Sequence, residues 1–443
     1  MKNCFLLLAF TFLVAGFGSV NAQLNKINFE EFDLDNGLHV ILHQDKSTPN
    51  VTVSVMYNVG SKHEDPSRTG FAHFFEHLMF EGTENIDRGQ YFKIVQNAGG
   101  TLNANTSNDR TYYYEIMPSN QLELGLWLES ERMLHAKVDS VGIATQKGVV
   151  IEEKKQTTDN QPYGTIMQET MKRAFKVHPY RWQVIGDPDH IRAAKDEEFQ
   201  MFYEKFYVPN NAVLVLAGDI EMESAKQLVK KYFADIPTGK HDLARELIVE
   251  PDLNGEVRDT IYDNVQLPLI LQAYRTPAMG TDDYYALDML GTLLSKGQSS
   301  RMYKSLVDEQ QMALQAGSFA MPFNEPSVTL AYALPNMGVE CKDLENAIDA
   351  EIAKVRDELI SEREFQKLKN QYENDIVKGN MKVATRANSL ARYYTYFKNT
   401  NMINTELDKY LAVSREDIQR VAQKYLVEDN RVVLYYLPKS QQQ

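Results

Sequence analysis

The chain has 443 residues, a formal net charge of −14 and two cysteines. A negative charge of this size argues against a nucleic-acid-binding protein, which needs a positively charged binding face. The length is sufficient for two domains with separate hydrophobic cores. Cys341 is the only cysteine beyond the first four residues, so the sequence excludes an intramolecular disulfide once the N-terminal segment is removed.

Residues 1–22 resemble a secretory signal peptide. A lysine near the start is followed by an almost wholly apolar run, and Val20-Asn21-Ala22 fits a small-residue cleavage site. A membrane anchor is the alternative, but the apolar run is at the short limit for crossing a bilayer. We therefore expect cleavage after Ala22, no further membrane segment, and a periplasmic or secreted mature protein.

The next predicted elements are strands. Asn36-Gly37 is typical of a tight turn between two strands, the second of which covers residues 39–42. Strict alternation of apolar residues over 51–59 predicts a further strand. An apolar helical pattern then begins near Gly70. The segment that follows is therefore predicted to be a helix that packs against a sheet.

That helix carries His73-Phe74-Phe75-Glu76-His77, which reads H-x-x-E-H, the inverted zincin signature. On a helix, His73 and His77 share one face and can bind one zinc ion, with Glu76 beside them as general base. The alternative is a buried helix with hydrogen-bonded core histidines, although burying these three groups without partners would cost several kcal/mol. Two histidines and a carboxylate also suit iron(II), whereas the helical motif favours zinc.

A zinc site of this kind needs a third protein ligand. Glu152 and Glu153 fall in a predicted helix that begins near Ala144. Together with H-x-x-E-H, this segment resembles the V-V-x-E-E segment of the pitrilysin/insulinase (M16) zinc peptidases, in which the second acid is the ligand. The resemblance implies that Glu153 is the third ligand, with Glu152 as the alternative. Without the upstream motif, either acid would be interpreted as an ordinary solvated helix residue.

A second segment with this resemblance is residues 99–106, which are similar to the family pattern G-G-x-x-N-A-x-T. The resemblance implies an edge strand that pairs with an extended peptide substrate. Asn103 and Ala104 match the positions that contact the substrate near the scissile bond. A plain hairpin is the alternative, because Gly-Gly and Asn are common turn residues. Residues 178–186 and 207–211 also resemble family segments.

The chain contains an internal repeat. Residues 197–215 and 416–434 both read as an amphipathic helix that turns through an asparagine into a hydrophobic strand. A repeat at half the chain length predicts two copies of one α/β domain. The predicted divisions are a signal peptide (1–22), a zinc-bearing domain (23–234), a linker (235–256) and a second domain (257–443).

The M16 resemblance implies an α+β fold of two homologous α/β-sandwich domains, each an antiparallel-rich sheet packed with helices. The domains would face each other as a clam shell, with the peptide between them. In the second domain, Asp288, Gly291 and Thr292 align with the H-x-x-E-H positions. These residues cannot rebuild the ligand set, so the second domain is predicted to be degenerate.

The sequence also departs from the family. Self-sufficient members carry an Arg and a Tyr in the second half that bind substrate and stabilise the oxyanion, where this chain has Asp308 and Gln315. Within the family, this combination implies the zinc-bearing subunit of a heterodimer whose paralogous partner supplies the pair. Gln146 stands where many relatives have a Glu that orients the site, and this change is expected to lower activity modestly.

These observations predict a zinc-dependent endopeptidase that hydrolyses extended peptides as the catalytic subunit of a heterodimer. The alternative is a weakly active or non-catalytic binding or scaffold subunit with a relic zinc site. The missing Arg/Tyr pair favours this alternative, whereas the complete set of ligands and base favours the enzyme.

Overall fold

The computed structural model describes residues 26–241, 243 and 247–442. The predicted signal peptide, residues 1–22, lies outside the described residues. The described residues form two β-sheets, each packed with helices, which is the predicted α+β fold class. Their helices include none with both the length and the apolar character that a bilayer-spanning segment requires.

Six strands form the first sheet, in the order β1-β2-β6-β3-β5-β4. The strands are β1 (Glu30–Asp33), β2 (His39–Gln44), β3 (Asn50–Tyr57), β4 (Thr101–Thr106), β5 (Thr111–Pro118) and β6 (Ala212–Gly218). β1 and β2 form the predicted hairpin, and Gly37 adopts a φ of +87° in its turn. β3 is buried on both faces beyond its first residue. The alternating valines therefore mark only one of its two buried faces.

Five strands form the second sheet, in the order β7-β11-β8-β10-β9. The strands are β7 (Val257–Asp263), β8 (Leu269–Thr276), β9 (Ala313–Met321), β10 (Ser327–Pro335) and β11 (Arg431–Pro438). This order matches β2-β6-β3-β5-β4 of the first sheet. The parallel pair β7–β11 also matches the parallel pair β2–β6. The internal repeat is therefore a repeat of sheet topology.

The helices are also divided between the two halves. The first half contains α1 (Phe71–Leu78), α2 (Tyr91–Asn97), α3 (Leu122–His135), α4 (Ser140–Lys154), α5 (Ile166–Ala174), α6 (Pro188–Ala193), α7 (Asp196–Phe206) and α8 (Met222–Phe233). The second half contains α9 (Asp282–Ser295), α10 (Cys341–Asp357), α11 (Glu362–Gly379), α12 (Val383–Phe397), α13 (Met402–Ala412) and α14 (Arg415–Tyr425).

The repeated segments have the same structure in both halves. Each is a helix followed by a strand, α7–β6 in the first half and α14–β11 in the second. Asn211 donates its side-chain N–H to Phe206 O at 2.8 Å, and Asn430 donates to Tyr425 O at the same distance. The asparagine shared by the two sequences therefore caps the end of the helix in both copies.

Each half contributes one helix that packs on the sheet of the other half. α12 belongs to the second half but packs on the face of the first sheet opposite α1, where Ala387 and Leu390 join a buried cluster with Met56 and Val215. α5 makes the reciprocal contact with β8 and β11 of the second sheet. This helix exchange explains why β3 is buried on both faces. The exchange joins residues on the two sides of the predicted linker (235–256). The bounds of that linker stay a prediction.

The tips of the β4–β5 and β9–β10 hairpins meet at a buried group of charged and polar residues. Lys62 Nζ lies 2.8 Å from Asp109 Oδ1 at the first tip and 2.8 Å from Glu325 Oε1 at the second. The other Glu325 oxygen lies 2.7 Å from His178 Nε2, and Tyr180 donates its hydroxyl to Asp109. We call these five residues the hairpin junction. It fixes the two edge hairpins against each other.

Candidate metal centre

Helix α1 begins at the residue after Gly70, as the sequence predicts, and two local features hold its first turn. Gly70 has a φ of +95°, which a residue with a side chain adopts with difficulty. The Glu64 carboxylate accepts hydrogen bonds from Gly70 N at 2.9 Å and from Ala72 N at 2.8 Å. Burial raises the pKa of Glu64 to about 8, although these backbone donors act in the opposite direction. Glu64 is thus a helix cap that the sequence analysis missed.

The two faces of α1 have different roles. Phe74, Phe75 and their apolar neighbours on the helix are buried in the core of the first half. His73, Glu76 and His77 are only partly buried, on the other side of the helix. Tyr113 of β5 donates its hydroxyl to Phe75 O at 3.0 Å and so ties the helix to the sheet. The predicted helix therefore presents all three motif residues on one accessible face.

Helix α4 brings Glu153 to this face. Its oxygen Oε2 lies 3.2 Å from His77 Nε2, and Oε1 lies 3.7 Å from His73 Nε2. α4 begins at Ser140 rather than near the predicted Ala144, because the Asp139 side chain accepts a hydrogen bond from Gly142 N and caps the helix four residues earlier. The error moves the helix start without changing the position of Glu153.

Glu152, the alternative ligand, lies apart from the histidines. Its carboxylate contacts Lys155 and Gln156, each at 3.3 Å, on the exposed side of the chain. The hydrogen bond from Gln156, followed by that from Lys155, lowers its pKa. The geometry therefore favours Glu153 over Glu152.

The donor set fits a metal ion. One ligand atom from each of His73, His77 and Glu153 lies within 4.8 Å of the others, and no other group of three His, Cys, Asp or Glu among the described residues meets this condition. Burial, and then the charge of His77, lowers the pKa of His73 to about 4, so its imidazole is neutral as a ligand must be. Glu153 Oε2 is buried and accepts no hydrogen bond, although His77 Nε2 lies 3.2 Å away. Two imidazoles and one carboxylate match a catalytic zinc site with one open position.

Glu76 lies beside these three residues without being one of them. Burial raises the pKa of its carboxyl above the ordinary value, and the charge of Glu153 acts in the same direction. The neighbouring charge of His77 acts in the opposite direction. A carboxyl group with a raised pKa beside the candidate ligands is suited to accept and return a proton.

Gln146, where the family resemblance implies a Glu in many members, belongs to a second set of contacts. Its side-chain N–H donates to Glu81 Oε1 at 2.5 Å, and Glu81 Oε2 lies 2.9 Å from Arg88 Nη1. Arg88 also pairs with Asp139, the cap of α4. The amide therefore joins the middle of α4 to the segment just after α1 and keeps a positioning contact without a negative charge.

The predicted substrate strand lies at the edge of the first sheet. β4 ends the strand order, and its residue Ala104 pairs with Tyr113 of β5. Asn103 is exposed, whereas the Ala104 side chain is buried. Asn103 Oδ1 accepts a hydrogen bond from Ala104 N at 2.9 Å. The edge is thus available for a further strand, as the resemblance implies, and the two residues present a polar side chain and a small one.

In the second half, the position equivalent to the metal centre is filled by tyrosines. Tyr410 donates its hydroxyl to Asp288 Oδ2 at 2.8 Å, and Thr292 Oγ1 lies 2.9 Å from Tyr372 Oη. Asp288 and Thr292 are the residues that align with the two histidines. Their hydrogen bonds to tyrosines agree with the prediction of a degenerate copy.

The residues at the predicted Arg and Tyr positions lie near the start of β9. Asp308 is exposed in a short π-helical segment before the strand, and Gln315 is exposed on β9 itself. Gln315 donates its side-chain N–H to Tyr332 Oη of β10 at 3.2 Å. The Tyr332 ring crosses Gly317, where an added Cβ would lie 3.1 Å from it. A phenol from β10 thus lies beside Gln315, the position at which the family resemblance implies a Tyr in self-sufficient members.

Both halves of the chain match known peptidase families. The family described as "Insulinase (Peptidase family M16)" matches residues 39–187, and "Peptidase M16 inactive domain" matches residues 194–372. The zinc protease PqqE of Helicobacter pylori is 30% identical over 95% of this chain and 95% of that protein.

Solved structures show the same relationship. The crystal structure of a protease from Helicobacter pylori has a TM-score of 0.89 and 29% identity, and the match covers 93% of this chain and 100% of that one. The first half of the periplasmic protease PqqL from Escherichia coli has the same fold, with a TM-score of 0.76 and 18% identity over 92% of each chain. With its metal-ligand geometry, its repeated sheets and these relatives, the chain belongs to peptidase family M16.

Proposed function

We propose that this protein is a zinc-dependent endopeptidase of the inverted zincin type that hydrolyses extended peptides. The observation that carries the proposal is the convergence of His73, His77 and Glu153, with Glu76 beside them. Zinc held by those three side chains would polarise the scissile carbonyl and acidify a water molecule. The zinc protease names of the relatives also support this cofactor.

The side chains of the site have distinct tasks in this proposal. Glu76 accepts the proton of the attacking water and returns it to the leaving amine, since a carboxyl with a raised pKa can do both. β4 binds the peptide as an added strand, with Asn103 and Ala104 next to the scissile bond. Gln146 holds α4 against the segment that follows α1 through its hydrogen bond to Glu81.

The experiment combines metal analysis with a peptide-cleavage assay. In Glu76→Gln, zinc should stay bound at one equivalent while cleavage falls by about 10²-fold or more. Glu153→Gln should lose zinc and cleavage together. Glu152→Gln is the matched control, a neighbouring carboxylate outside the site, and should keep both. Cleavage that survives Glu76→Gln would refute the mechanism, and iron rather than zinc in the purified protein would refute the metal assignment.

We further propose that full activity requires a paralogous M16 subunit that supplies an Arg and a Tyr. Exposed Asp308 supports this proposal, since a carboxylate would repel a developing oxyanion where a cation is needed. Cleavage should therefore rise when the partner subunit is added to the chain. Equal activity with and without the partner would indicate that Tyr332, or another group of this chain, is sufficient.

The second candidate function is a binding or scaffold subunit with a relic zinc site. Asp308 and Gln315, at the positions of the missing Arg and Tyr, favour this function. It predicts bound zinc and bound peptide with no cleavage, either alone or with the partner. Export to the periplasm or outside the cell is also part of the proposal, and N-terminal sequencing of the mature protein should begin at Gln23.

A further inference from the structure

A cavity of about 460 Å³ lies next to the metal centre, between α4, α5 and the loop that precedes α6. Its wall contains Lys154, which directly follows Glu153 on α4, and Thr69, which lies four residues before His73 in the loop that precedes α1. The helix that carries Glu153 and the loop before the helix that carries His73 therefore both form part of this cavity. A group bound in it would lie against the residue next to Glu153.

The charges on the wall are mainly positive, although the chain carries a net charge of −14. Lys154, Lys172 and Arg181 are cationic, and Asp187 is the one acidic residue of the lining. Lys154 is already paired with Asp159 at 2.6 Å. Lys172 and Arg181 are exposed and form no ion pair within the described part of the chain. Arg181 donates one N–H to Lys176 O, and its remaining N–H groups and the Lys172 ammonium stay available to a ligand.

The acidic residue of the wall is used elsewhere. Asp187 Oδ1 accepts a hydrogen bond from Asp189 N at 2.8 Å and caps α6. Its carboxylate is thus occupied at a helix N-terminus, where negative charge is stabilised. Neither Lys172 nor Arg181 forms an ion pair with Asp187, so the wall keeps an excess of positive charge.

Part of the cavity wall is fixed by contacts with the segment at the start of α1. The His190 Nδ1 atom accepts a hydrogen bond from Thr69 N at 3.2 Å, which places the proton of the neutral ring on Nε2 and makes that atom a donor. Gly186 lies against Gly70, so closely that an added Cβ would be 2.3 Å from its backbone. The loop is therefore held on the start of α1.

We propose that this cavity binds a carboxylate of the peptide substrate, either an acidic side chain or the free C-terminus. The proposal rests on the proposed peptidase function and deepens it by assigning a substrate preference. Lys172 and Arg181 would pair with the carboxylate, and the fixed part of the wall would limit where it can lie relative to the scissile bond. Acidic peptides are the class of substrate that this charge distribution selects.

Cleavage of matched peptides tests the preference. A peptide series with Glu at each position around the cleaved bond is compared with the same series carrying Gln, and each member is made with a free and with an amidated C-terminus. At least one carboxylate should raise kcat/KM by about tenfold, the effect of one charge-assisted hydrogen bond. The position at which it does so distinguishes a side chain from the C-terminus.

Variants assign the preference to the cavity. Lys172→Gln should reduce the ratio of acidic to neutral kcat/KM, and Lys172→Glu should invert it. Lys378→Gln, an exposed lysine of α11 outside the cavity, is the matched control and should keep the ratio. If the ratio were near one in the wild type, or the same in Lys172→Glu, the proposed site would be refuted while peptidase function stood.

A binding experiment separates failure of the site from failure of the proposed function. In full-length Glu76→Gln, labelled acidic and neutral peptides are compared by fluorescence anisotropy. Tighter binding of the acidic peptide, lost in the double variant with Lys172→Glu, would support the site even if the wild type cleaved nothing. Equal binding of both peptides would refute it whatever the wild type cleaves.

Discussion

The hairpin junction gives the most direct test of how the two halves are held together. Glu325 pairs with Lys62 and His178 at the point where the two edge hairpins meet, and its side chain is mostly buried. Glu325→Gln keeps the shape of the side chain and removes its charge. The variant should therefore lose the ionic part of the junction without creating a cavity.

The magnitude follows from the pKa of Glu325. The hydrogen bonds and charges of His178 and Lys62 outweigh the effect of burial and lower this pKa from 4.5 to about 2. Such a shift corresponds to about 3 kcal/mol in favour of the folded state. Because the folded pKa lies below the unfolded one, this contribution is complete above about pH 5 and is lost as the pH falls towards 2.

The assay is urea unfolding of the wild type and Glu325→Gln at a series of pH values. The difference in free energy of unfolding should be about 3 kcal/mol at pH 7 and less than half of that at pH 3. The difference in free energy of unfolding between the two proteins removes the contributions of the other acids that titrate in this pH range. Glu373→Gln, an exposed acid of α11, should give no difference. A Glu325→Gln effect that did not change with pH would refute the reasoning.

Three further predictions concern the first half. Arg132 is fully buried, 3.4 Å from both Glu115 and Glu129. Arg132→Met should therefore lower the free energy of unfolding by about 3–5 kcal/mol, because it leaves two buried acids unpaired. An unchanged midpoint of urea unfolding would contradict this. Gly186→Ala should lower both the Tm and the zinc affinity, because Gly186 has a φ of +72° and its added Cβ would lie 2.3 Å from Gly70. Wild-type values of both would show that the loop can adjust. Removal of the metal with a chelator should lower the Tm, and added zinc should restore it, because a ligand of the folded state stabilises that state. A Tm that the chelator does not change would argue against a bound metal.

Local sequence patterns predicted the parts of the site that depend on local structure. The spacing of His73 and His77 is sufficient to place both on one helical face, and the repeat indicated two related sheets. The start of α4 was misplaced although Asp139 followed by Ser140 is a visible capping signal. Choosing Glu153 over Glu152 required the family resemblance, because neighbouring helix residues differ only in direction.

The remaining features depend on contacts between distant parts of the chain. Lys62, Asp109, His178 and Glu325 are widely separated in sequence, and none of them has a pattern that predicts the junction. Tyr332 reaches Gln315 because the β9–β10 register places Gly317 opposite it. Hydrophobic periodicity does not predict the helix exchange, because an amphipathic pattern does not indicate which sheet the helix covers.

The helix exchange has a consequence for the ancestry of the chain. A single ancestral half, with its own counterpart of α5 and α12, would have left one face of its sheet open to water. A symmetric dimer, with each copy covering the sheet of the other, would have buried both faces. Duplication and fusion of such a dimer would give the present topology. The metal-free copy could then lose its ligands but not its fold, because α12 still shields the sheet that supports the zinc-binding helix.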